Sequence, residues 1–269
     1  MYSLNTTSAI VRLIQISDTH LFDAKSGLLL GMQTLQSLEA VLHSVRLKPQ
    51  PIDAILVTGD LSQDGSLGSY QHLQQALTPF QSPVFWLAGN HDDYHVMQQA
   101  AVKHEYLQTV IRTDFWQLIL LNSQSEGAVF GELSIKQLEI LQDALQQRPD
   151  LHSVICLHHQ PIAMGCRWLD KIGLRNAVEF QAVLQQHQNV RAVLWGHVHQ
   201  ESSRFIDGVR YLSTPSTCVQ FKPNATDFSL DELAPGYRWL DLHPDGAIET
   251  GVSRVEGIKL NVNLHSQGY

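Results

Sequence analysis

Histidine and acidic side chains follow five short apolar runs in this sequence, directly after the point where each run ends. Runs of this length, bounded by turn residues, are typical of buried β-strands. The five runs are Val11–Ser17, Ala54–Thr58, Val84–Ala88, Val154–Leu157 and Ala192–Trp195. The blocks that follow them are Asp18-Thr19-His20, Gly59-Asp60, Gly89-Asn90-His91-Asp92, His158-His159 and Gly196-His197-Val198-His199. Imidazole and carboxylate groups without thiolate suit Mn, Fe, Zn or Mg, so the blocks predict a metal site.

Seven of these side chains are candidate ligands, which is too many for one tetrahedral ion but suits two ions that share a carboxylate. They are Asp18, His20, Asp60, Asn90, His158, His197 and His199. Asp60 stands alone after its run and offers two oxygens, so we predict that it bridges the ions. Two divalent ions, Asp18, Asp60 and a bridging hydroxide leave a net charge of about +1, which matches an anionic phosphoester. We expect His91, which follows a ligand, to protonate a leaving oxygen or to stabilise charge in the transition state.

The spacing also predicts how these side chains point. In an extended segment, residues two apart face the same side. The pairs with this spacing are Asp18 with His20 and His197 with His199. By the same rule His159 should point away from His158, and we expect it to have a structural role. Asp92 is expected to hydrogen-bond the loop or to orient His91.

Helical patterns between the apolar runs indicate how the ligands are brought together. Apolar residues recur with helical spacing over 35–45, 70–77, 138–145 and 180–184,. Strands that alternate with helices predict an α/β architecture, in which the carboxyl ends of parallel strands lie side by side. A further strand is predicted over Asp114–Leu121, and the C-terminal third predicts two antiparallel hairpins,. The hairpins are Ser203–Ile206 with Val209–Ser213 and Tyr237–Leu242 with Ala247–Val252.

Composition disfavours several classes of protein. The formal net charge of −8, with only scattered Lys and Arg, disfavours nucleic-acid binding,. The chain has no apolar run of the roughly 18 residues that cross a bilayer and no signal-peptide pattern, so we expect no membrane contact and a cytoplasmic location. Cys156, Cys166 and Cys218 are expected to be small buried side chains rather than disulfide partners or metal ligands,. We predict one domain over 1–269, with the ligand blocks in 14–200 and the hairpins and a tail in 201–269.

The ordered set of blocks resembles a known family. Asp-x-His, Gly-Asp, Gly-Asn-His-Asp, His and Gly-His-x-His, spanning Ile14 to Gln200, are similar to the motifs of the calcineurin-like metallophosphoesterase superfamily. The resemblance implies one divalent ion on Asp18, His20, Asp60 and His199, and a second on Asp60, Asn90, His158 and His197. It implies that His91 is the catalytic histidine. It further implies that the substrate contacts His20, Asp60, Asn90, His91 and His199.

A closer resemblance extends beyond these blocks. The segments 157–176, 213–223 and 231–246, and the Gln-Gly-Tyr end, are similar to those of the bacterial class III cyclic AMP phosphodiesterases. This similarity implies hydrolysis of cyclic AMP to AMP by metal-activated hydroxide. It also implies an αββα sandwich of two mixed β-sheets flanked by helices. The loop 165–176, which contains Trp168, is expected either to form a wall of the substrate site or to pack on the core.

Two other functions stay open at this point. A broader phosphoesterase would act on other cyclic nucleotides, phosphodiesters or monoesters, and a catalytically silent member of the fold would serve as a binding module. Loss of ligands would mark the silent member, whereas all seven candidate ligands are present in this chain. The choice among Fe, Mn, Zn and Mg also stays open, as does the oligomeric state.

Overall fold

The structure is a computed structural model that describes residues 1–6, 8–102, 105–257 and 261–268. Within these residues the chain forms two large β-sheets, two small two-stranded sheets and five α-helices. The strands are β1 (Tyr2–Ser3), β2 (Val11–Ile16), β3 (Leu28–Leu29), β4 (Met32–Gln33), β5 (Ala54–Thr58), β6 (Val84–Leu87), β7 (Val110–Arg112), β8 (Trp116–Leu120), β9 (His152–Cys156), β10 (Val190–Trp195), β11 (Ser202–Ile206), β12 (Val209–Ser213), β13 (Gln220–Phe221), β14 (Leu230–Asp231), β15 (Gly236–Leu242) and β16 (Ile248–Arg254). The helices are α1 (Thr34–Arg46), α2 (Leu67–Leu77), α3 (Tyr94–Ala101), α4 (Ile135–Gln147) and α5 (Ala177–Leu184), with a short 3₁₀-helix over Leu169–Lys171.

Polar side chains cap the starts of three helices. The Ser66 side chain accepts a hydrogen bond from the backbone N–H of Ser69 at the start of α2, and Ser134 caps α4 in the same way. Asp93 caps α3, which begins directly after the Asn90–His91 block. Caps of this kind stabilise a helix by about 1 kcal/mol. The cap of α3 therefore helps to fix the loop that carries two of the predicted site residues.

Both large sheets carry ligand blocks. The five-stranded sheet has the order β16-β15-β2-β5-β6, and the seven-stranded sheet has the order β1-β7-β8-β9-β10-β12-β11. Strands β2, β5 and β6 are parallel to one another, as are β8, β9, β10 and β12. Antiparallel pairs complete each sheet, so both sheets are mixed. In each sheet the parallel strands end at one edge, where their following loops meet.

Three apolar layers hold the sheets and helices together. The layer between the sheets includes Leu13 and Leu56 from the five-stranded sheet and Val154 and Leu194 from the seven-stranded sheet. A second layer joins the outer face of the five-stranded sheet to α1, α2 and α3, and a third joins the seven-stranded sheet to α4 and α5. This helix–sheet–sheet–helix order confirms the predicted αββα sandwich.

The predicted strands and hairpins are present, with ends that differ by a few residues. The strand predicted over Asp114–Leu121 is β8, and the two C-terminal hairpins are β11–β12 and β15–β16. Helix α3 was not predicted because only Met97 and Ala101 of its eight residues are buried, which is a weak periodic signal,. The predicted tail after Arg254 lies partly outside the described residues, and the single domain over 1–269 stays a prediction. Among the described residues, no helix has the length and apolar character needed to span a membrane.

Candidate metal centre

The carboxyl ends of parallel strands from both sheets bring the predicted ligands into one cluster. Strand β2 is followed by Asp18 and His20, β5 by Asp60, β6 by Asn90 and His91, β9 by His158, and β10 by His197 and His199. All of these side chains are buried except those of Asn90 and His91, which are half-buried. The site is therefore shared between the two sheets, and its open side lies at Asn90 and His91.

Five of the site residues adopt a left-handed backbone conformation, which residues other than glycine rarely adopt. Their φ angles are +54° at Asp18, +45° at His20, +50° at Asp60, +63° at His197 and +46° at His199. The prediction of extended segments at these two residue pairs is therefore wrong, because a left-handed residue turns the chain sharply. Each such residue costs on the order of 1 kcal/mol, and this strain is typical of functional sites that the surrounding packing holds in place.

One side of the cluster is formed by Asp18, His20 and His199. Nε2 of His20 lies 3.2 Å from Nε2 of His199, and Nε2 of His199 lies 3.4 Å from Oδ1 of Asp18. Nε2 of His20 also lies 3.9 Å from Oδ2 of Asp60. The structure thus brings together the four residues that the resemblance implied for one ion.

The other side of the cluster is formed by His158 and His197. Nε2 of His158 lies 3.2 Å from Oδ2 of Asp60, and the ring centroids of His158 and His197 are 5.1 Å apart. The donor atoms of Asp18, Asp60 and His158 all lie within 4.8 Å of one another. Asp60 contacts both sides of the cluster, which is the position that a bridging carboxylate requires.

The loop after β6 carries His91 and Asp92. The backbone N–H of His91 donates a hydrogen bond to Oδ1 of Asp60 at 2.8 Å, and the His91 ring lies within 4.8 Å of donor atoms of His20 and Asp60. Asp92 accepts a hydrogen bond from the N–H of Gly89 at 2.8 Å, which confirms its expected role in organising the loop. Burial, with a smaller contribution from Asp60, raises the pKa of Asp92 to about 7.

His159 differs from its predicted orientation. The chain bends at both His158 and His159 instead of extending, so the His159 ring stays beside the cluster, 4.7 Å from the His197 ring between centroids. Nδ1 of His159 lies 2.9 Å from Oγ of Ser123, a contact that holds the ring in place. Burial, together with His158, lowers the pKa of His159 to about 3, so this ring is neutral.

A segment that sequence reasoning did not assign, the loop 214–219 with strand β13 after it, supports the Asp18 and His199 side. Oγ of Ser216 donates a hydrogen bond to the carbonyl oxygen of Asp18 at 2.7 Å. The carbonyl oxygen of Val219 lies 2.8 Å from Nδ1 of His199. Only the similarity of segment 213–223 marked this loop beforehand, because backbone acceptors leave no signal in residue type.

The same segment places Cys218 and Phe221 beside the cluster. Sγ of Cys218 lies within 4.8 Å of donor nitrogens of His20 and His199, and the Phe221 ring stacks on His199 with centroids 4.0 Å apart. All three cysteines are free and buried, as predicted. Burial raises the pKa of the Cys218 thiol to about 12, so it is a neutral neighbour of the cluster.

Three of the imidazoles are held by oxygen acceptors at the ring nitrogen that faces away from the cluster. The acceptors are Oε1 of Gln63 for His20 at 2.6 Å, the Thr58 carbonyl for His158 at 2.8 Å and the Val219 carbonyl for His199 at 2.8 Å. A neutral ring donates its N–H to such an oxygen at Nδ1, so the lone pair of Nε2 points into the cluster. This arrangement is typical of histidines that bind metal ions.

The protonation states of the cluster favour a bound cation. Burial lowers the pKa of His20 to about 3, and burial with His159 lowers that of His197 well below its ordinary value, so both rings are neutral. Burial also opposes a charge on His158, but Asp60 outweighs it and raises the pKa of His158 to about 9. Burial would raise the pKa of Asp60, yet the neighbouring histidines, His158 first, hold it well below its ordinary value. Asp60 is thus a buried anion whose charge the protonated His158 balances in this structure, and a bound divalent cation would balance it in place of that proton,.

Two buried atoms test whether the residues fit a metal ion. Oδ1 of Asn90 and Nε2 of His197 are buried and have no hydrogen-bond partner among the residues that the structure describes. Leaving a buried lone pair unsatisfied costs about 1–3 kcal/mol. Coordination of a cation would satisfy both atoms, and mixed oxygen and imidazole donors suit a divalent ion. The residues therefore fit the metal site that the sequence predicts.

Two glycines allow the edges of the two sheets to meet at the cluster. A Cβ atom at Gly59 would lie 2.2 Å from Nδ1 of His158, and one at Gly196 would lie 1.9 Å from Oγ of Ser17. Gly59 also has a φ of +95°. Each glycine belongs to one sheet and faces a residue of the other, so any larger side chain would separate the ligands.

A cavity of about 700 Å³ opens beside Asn90 and His91. Its walls are the first turns of α3 and the loops 63–65 and 124–127. In the loop 165–176, Trp168 packs edge-on against Phe221 and Phe228 in the outer apolar layer, so this residue takes the second of the two predicted roles.

The fold and the cluster together are those of a metal-dependent phosphoesterase. The chain matches the family model of the calcineurin-like phosphoesterases over residues 11–201, and it belongs to this family. The fold of the family implies two divalent metal ions, and the His and Asp clusters described above are suited to hold them.

Individual relatives are similar over nearly the whole chain. It is 44% identical over 263 residues to the 3′,5′-cyclic adenosine monophosphate phosphodiesterase CpdA of Pseudomonas aeruginosa, covering 98% of this chain and 97% of the relative. It is also 44% identical to the protein of the same name from Escherichia coli strain K12, covering 97% and 96% of the two chains. Among solved structures, a dimetal phosphatase from Danio rerio has the same fold, with a TM-score of 0.61, 14% identity, and coverage of 91% of this chain and 99% of that chain.

Proposed function

We propose that this chain hydrolyses 3′,5′-cyclic AMP to 5′-AMP. The observation that carries the proposal is the 44% identity to two proteins named as cyclic AMP phosphodiesterases, which extends over at least 97% of this chain. An interaction module of the same fold that had lost catalysis would not need to keep the ligands, whereas this chain has all seven candidate ligands, six of which are buried. The chain therefore has both the similarity and the chemical groups that the reaction needs.

We further propose which residues hold the two ions. Asp18, His20, Asp60 and His199 would hold one ion, and Asp60, Asn90, His158 and His197 would hold the other. Four imidazoles in this set favour Mn, Fe or Zn over Mg, which prefers oxygen ligands and water. When bound, the two ions supply positive charge for the phosphate oxygens and a more acidic water.

His91 is proposed to hold the proton that the leaving group needs. Hydrolysis joins the oxygen of water to phosphorus and breaks the bond from phosphorus to the 3′ oxygen, which must gain a proton. The His91 ring lies between the cluster and the open cavity, and its backbone N–H is tied to Asp60. From there the imidazole can reach an oxygen that leaves towards the cavity.

The phosphate is proposed to lie at the open side of the cluster. The residues expected to contact the substrate are His20, Asp60, Asn90, His91 and His199. The cyclic diester carries a single negative charge, so the two ions can neutralise it without an arginine cluster. Asn90 and His91 are the members of this set that line the cavity, and the rest of the substrate extends from them.

A comparison of substrates tests the proposal. The purified chain, loaded with Mn²⁺, is assayed on cyclic AMP, cyclic GMP, 5′-AMP and bis(4-nitrophenyl) phosphate, with products separated by chromatography. We expect 5′-AMP as the product of cyclic AMP, and a kcat/KM at least about tenfold above that for 5′-AMP itself. Equal or greater activity on 5′-AMP would contradict the proposal and indicate a monoesterase.

A paired measurement of bound metal tests the ligand assignment. Asn90→Ala removes a proposed ligand of one ion, and the exposed Asn5→Ala removes the same group far from the site. We expect the Asn90 variant to bind one ion fewer and to lose most activity, whereas the Asn5 variant binds two. Two ions in both variants would remove Asn90 from the ligand set.

A broader phosphodiesterase is the second candidate. The cavity of about 700 Å³ lies in the upper part of the roughly 300–1,000 Å³ that small-molecule sites occupy,. It therefore has room for leaving groups other than the ribose of cyclic AMP. Comparable kcat/KM values on cyclic AMP and bis(4-nitrophenyl) phosphate would favour this candidate.

A further inference from the structure

We infer that the cavity beside Asn90 and His91 is a nucleoside subsite in which Tyr94 and Gln98 contact the purine. The inference rests on the proposed function, because it assigns a place to the uncharged part of a cyclic nucleotide. It adds a binding region and two specificity-determining residues that lie outside the metal cluster.

The position of the cavity is the first reason. The His91 ring lies within 4.8 Å of donor atoms of His20 and Asp60 and also lines the cavity, so a phosphate held at the cluster projects its ester groups into this space. The bond that breaks leads to the ribose, and His91 stands where that bond would lie. A nucleoside attached to the phosphate must therefore pass His91 and enter the cavity.

The charge of the cavity wall is the second reason. Four acidic side chains line it, and none of the described residues that form its lining is Lys or Arg. The four are Asp64, Asp92, Asp93 and Glu126. An acidic wall repels any further phosphate but accepts hydrogen bonds from hydroxyl and amino groups. The cavity thus suits the neutral sugar and base of a nucleotide with one phosphate, and it disfavours nucleic acid and nucleoside triphosphates.

The first turns of α3 present the groups that can contact a base. Tyr94 and Gln98 are four residues apart on one helix, so they lie on the same face, and both line the cavity,. The Tyr94 side chain is 37% exposed although it is a large aromatic group. An exposed ring beside a cavity can stack on a purine, and a glutamine amide can pair with the donor and acceptor atoms of the adenine edge.

Two of the acidic groups at this wall already have structural roles. Oδ1 of Asp64 accepts a hydrogen bond from the Ser66 hydroxyl at 2.6 Å. Oδ1 of Asp93 accepts one from the N–H of Val96 at 3.0 Å and caps α3. The fold thus explains Asp64 and Asp93, whereas it does not explain why Tyr94 is exposed at the mouth of a catalytic cluster.

Binding of adenosine tests the subsite directly. Adenosine has no phosphate, so its binding does not depend on the metal cluster or on turnover. Titration of the metal-loaded chain with adenosine, followed by NMR or calorimetry, gives its Kd in the parent protein and in Tyr94→Ala, Tyr94→Phe and Gln98→Ala. We expect roughly tenfold weaker binding in Tyr94→Ala and near-parent binding in Tyr94→Phe, which keeps the ring.

The control is an exposed aromatic residue far from the cavity. Phe205 on β11 is 72% exposed, and Phe205→Ala is expected to leave adenosine binding unchanged. For Gln98→Ala we expect the ratio of kcat/KM for cyclic AMP to that for cyclic GMP to fall by roughly fivefold, because the base edge is no longer read.

The outcomes separate this inference from the proposed function. Equal adenosine affinity in the parent and in Tyr94→Ala would overturn the subsite, even if cyclic AMP is hydrolysed. Adenosine binding that depends on Tyr94, in a chain that hydrolyses bis(4-nitrophenyl) phosphate but not cyclic AMP, would support the subsite and overturn the proposed reaction.

Discussion

The two sheets contribute different chemistry to one cluster. The five-stranded sheet supplies both carboxylates and the amide, which are Asp18, Asp60 and Asn90, together with His20 and His91. The seven-stranded sheet supplies only imidazoles, which are His158, His197 and His199. Both carboxylates of the site therefore come from one sheet, whereas the other sheet contributes imidazoles alone. Neither sheet alone has the ligands for two divalent ions, so function depends on how the sheets meet.

The contact between the sheets also changes along the strands. In the middle, apolar side chains such as Leu13 and Leu194 fill the space between them. At the carboxyl edge the contact is polar and close: Nε2 of Gln15 donates a hydrogen bond to the Trp195 carbonyl at 3.3 Å, and Gly59 lies against His158. The apolar layer supplies stability, whereas the close edge sets the distances between ligands. The apolar layer tolerates changes in packing, whereas the close edge does not.

Loss of Asp60 should have the largest effect, because its carboxylate contacts His20 of its own sheet and His158 of the other and is the proposed bridge between the ions. We expect Asp60→Ala and Asp60→Asn to lower kcat/KM for cyclic AMP by at least about 10³-fold, beyond the cost of one electrostatic contact. Both variants should also bind fewer than two metal ions, as measured by mass spectrometry of bound metal.

The control for this change is Asp143→Asn, which removes the same charge from an exposed position on α4. It should keep both ions and nearly full activity. Two bound ions in Asp60→Asn would contradict the proposal that the Asp60 carboxylate bridges the ions.

Loss of His91 should separate catalysis from metal binding. We expect His91→Ala to lower kcat by roughly 10²–10³-fold, because the leaving oxygen loses its proton donor, while both ions stay bound. The exposed His43→Ala on α1 is the matched control and should change neither quantity. Loss of an ion in His91→Ala would instead place this ring among the ligands.

The close edge of the sheets can be tested with two glycines of similar conformation. Gly59 and Gly208 have φ angles of +95° and +82°, but a Cβ at Gly59 meets His158, whereas one at Gly208 meets nothing within 4 Å. Gly208→Ala should cost about 1–2 kcal/mol from backbone strain alone. Gly59→Ala should cost roughly 1–3 kcal/mol more, because the sheets must separate. Urea unfolding at one fixed metal concentration measures both free energies of unfolding, and equal costs would show that the approach to His158 is not constrained.

Sequence reasoning found the candidate ligands because their types and places follow from simple patterns. Short apolar runs marked β2, β5, β6, β9 and β10, and the polar block after each run marked the site. Parallel strands end at a common edge, so residues as far apart as Asp18 and His199 were expected together, and the structure places their side chains in contact,. The resemblance and the alternation of strands and helices predicted the αββα fold, and the structure confirms it.

The features that sequence reasoning missed depend on backbone geometry. The left-handed conformations at Asp18 and His199 have only a weak residue signature, since aspartate and histidine adopt them more often than most residues but still rarely,. The acceptors that orient His158 and His199 are carbonyl groups of Thr58 and Val219, which any residue could provide. The cavity beside His91 exists only because α3 and two distant loops meet there.

A change at Gln63 should have the smallest effect, and it tests how one predicted ligand of the five-stranded sheet is oriented. Gln63 lies on the side of the five-stranded sheet and accepts from His20. Of the three described oxygen acceptors that hold His20, His158 and His199, it is the side chain, and the other two are backbone carbonyls. Gln63→Leu removes the acceptor, so His20 loses its preferred tautomer, and we expect affinity for Mn²⁺ to fall roughly 10- to 100-fold. Gln63→Glu keeps an acceptor at the same position and should restore most of the affinity, whereas the exposed Gln186→Leu should change nothing. Calorimetric titration of the metal-stripped variants with Mn²⁺ measures the difference. If Gln63→Leu binds Mn²⁺ as tightly as the parent, the Gln63 acceptor is not what positions His20 for metal binding.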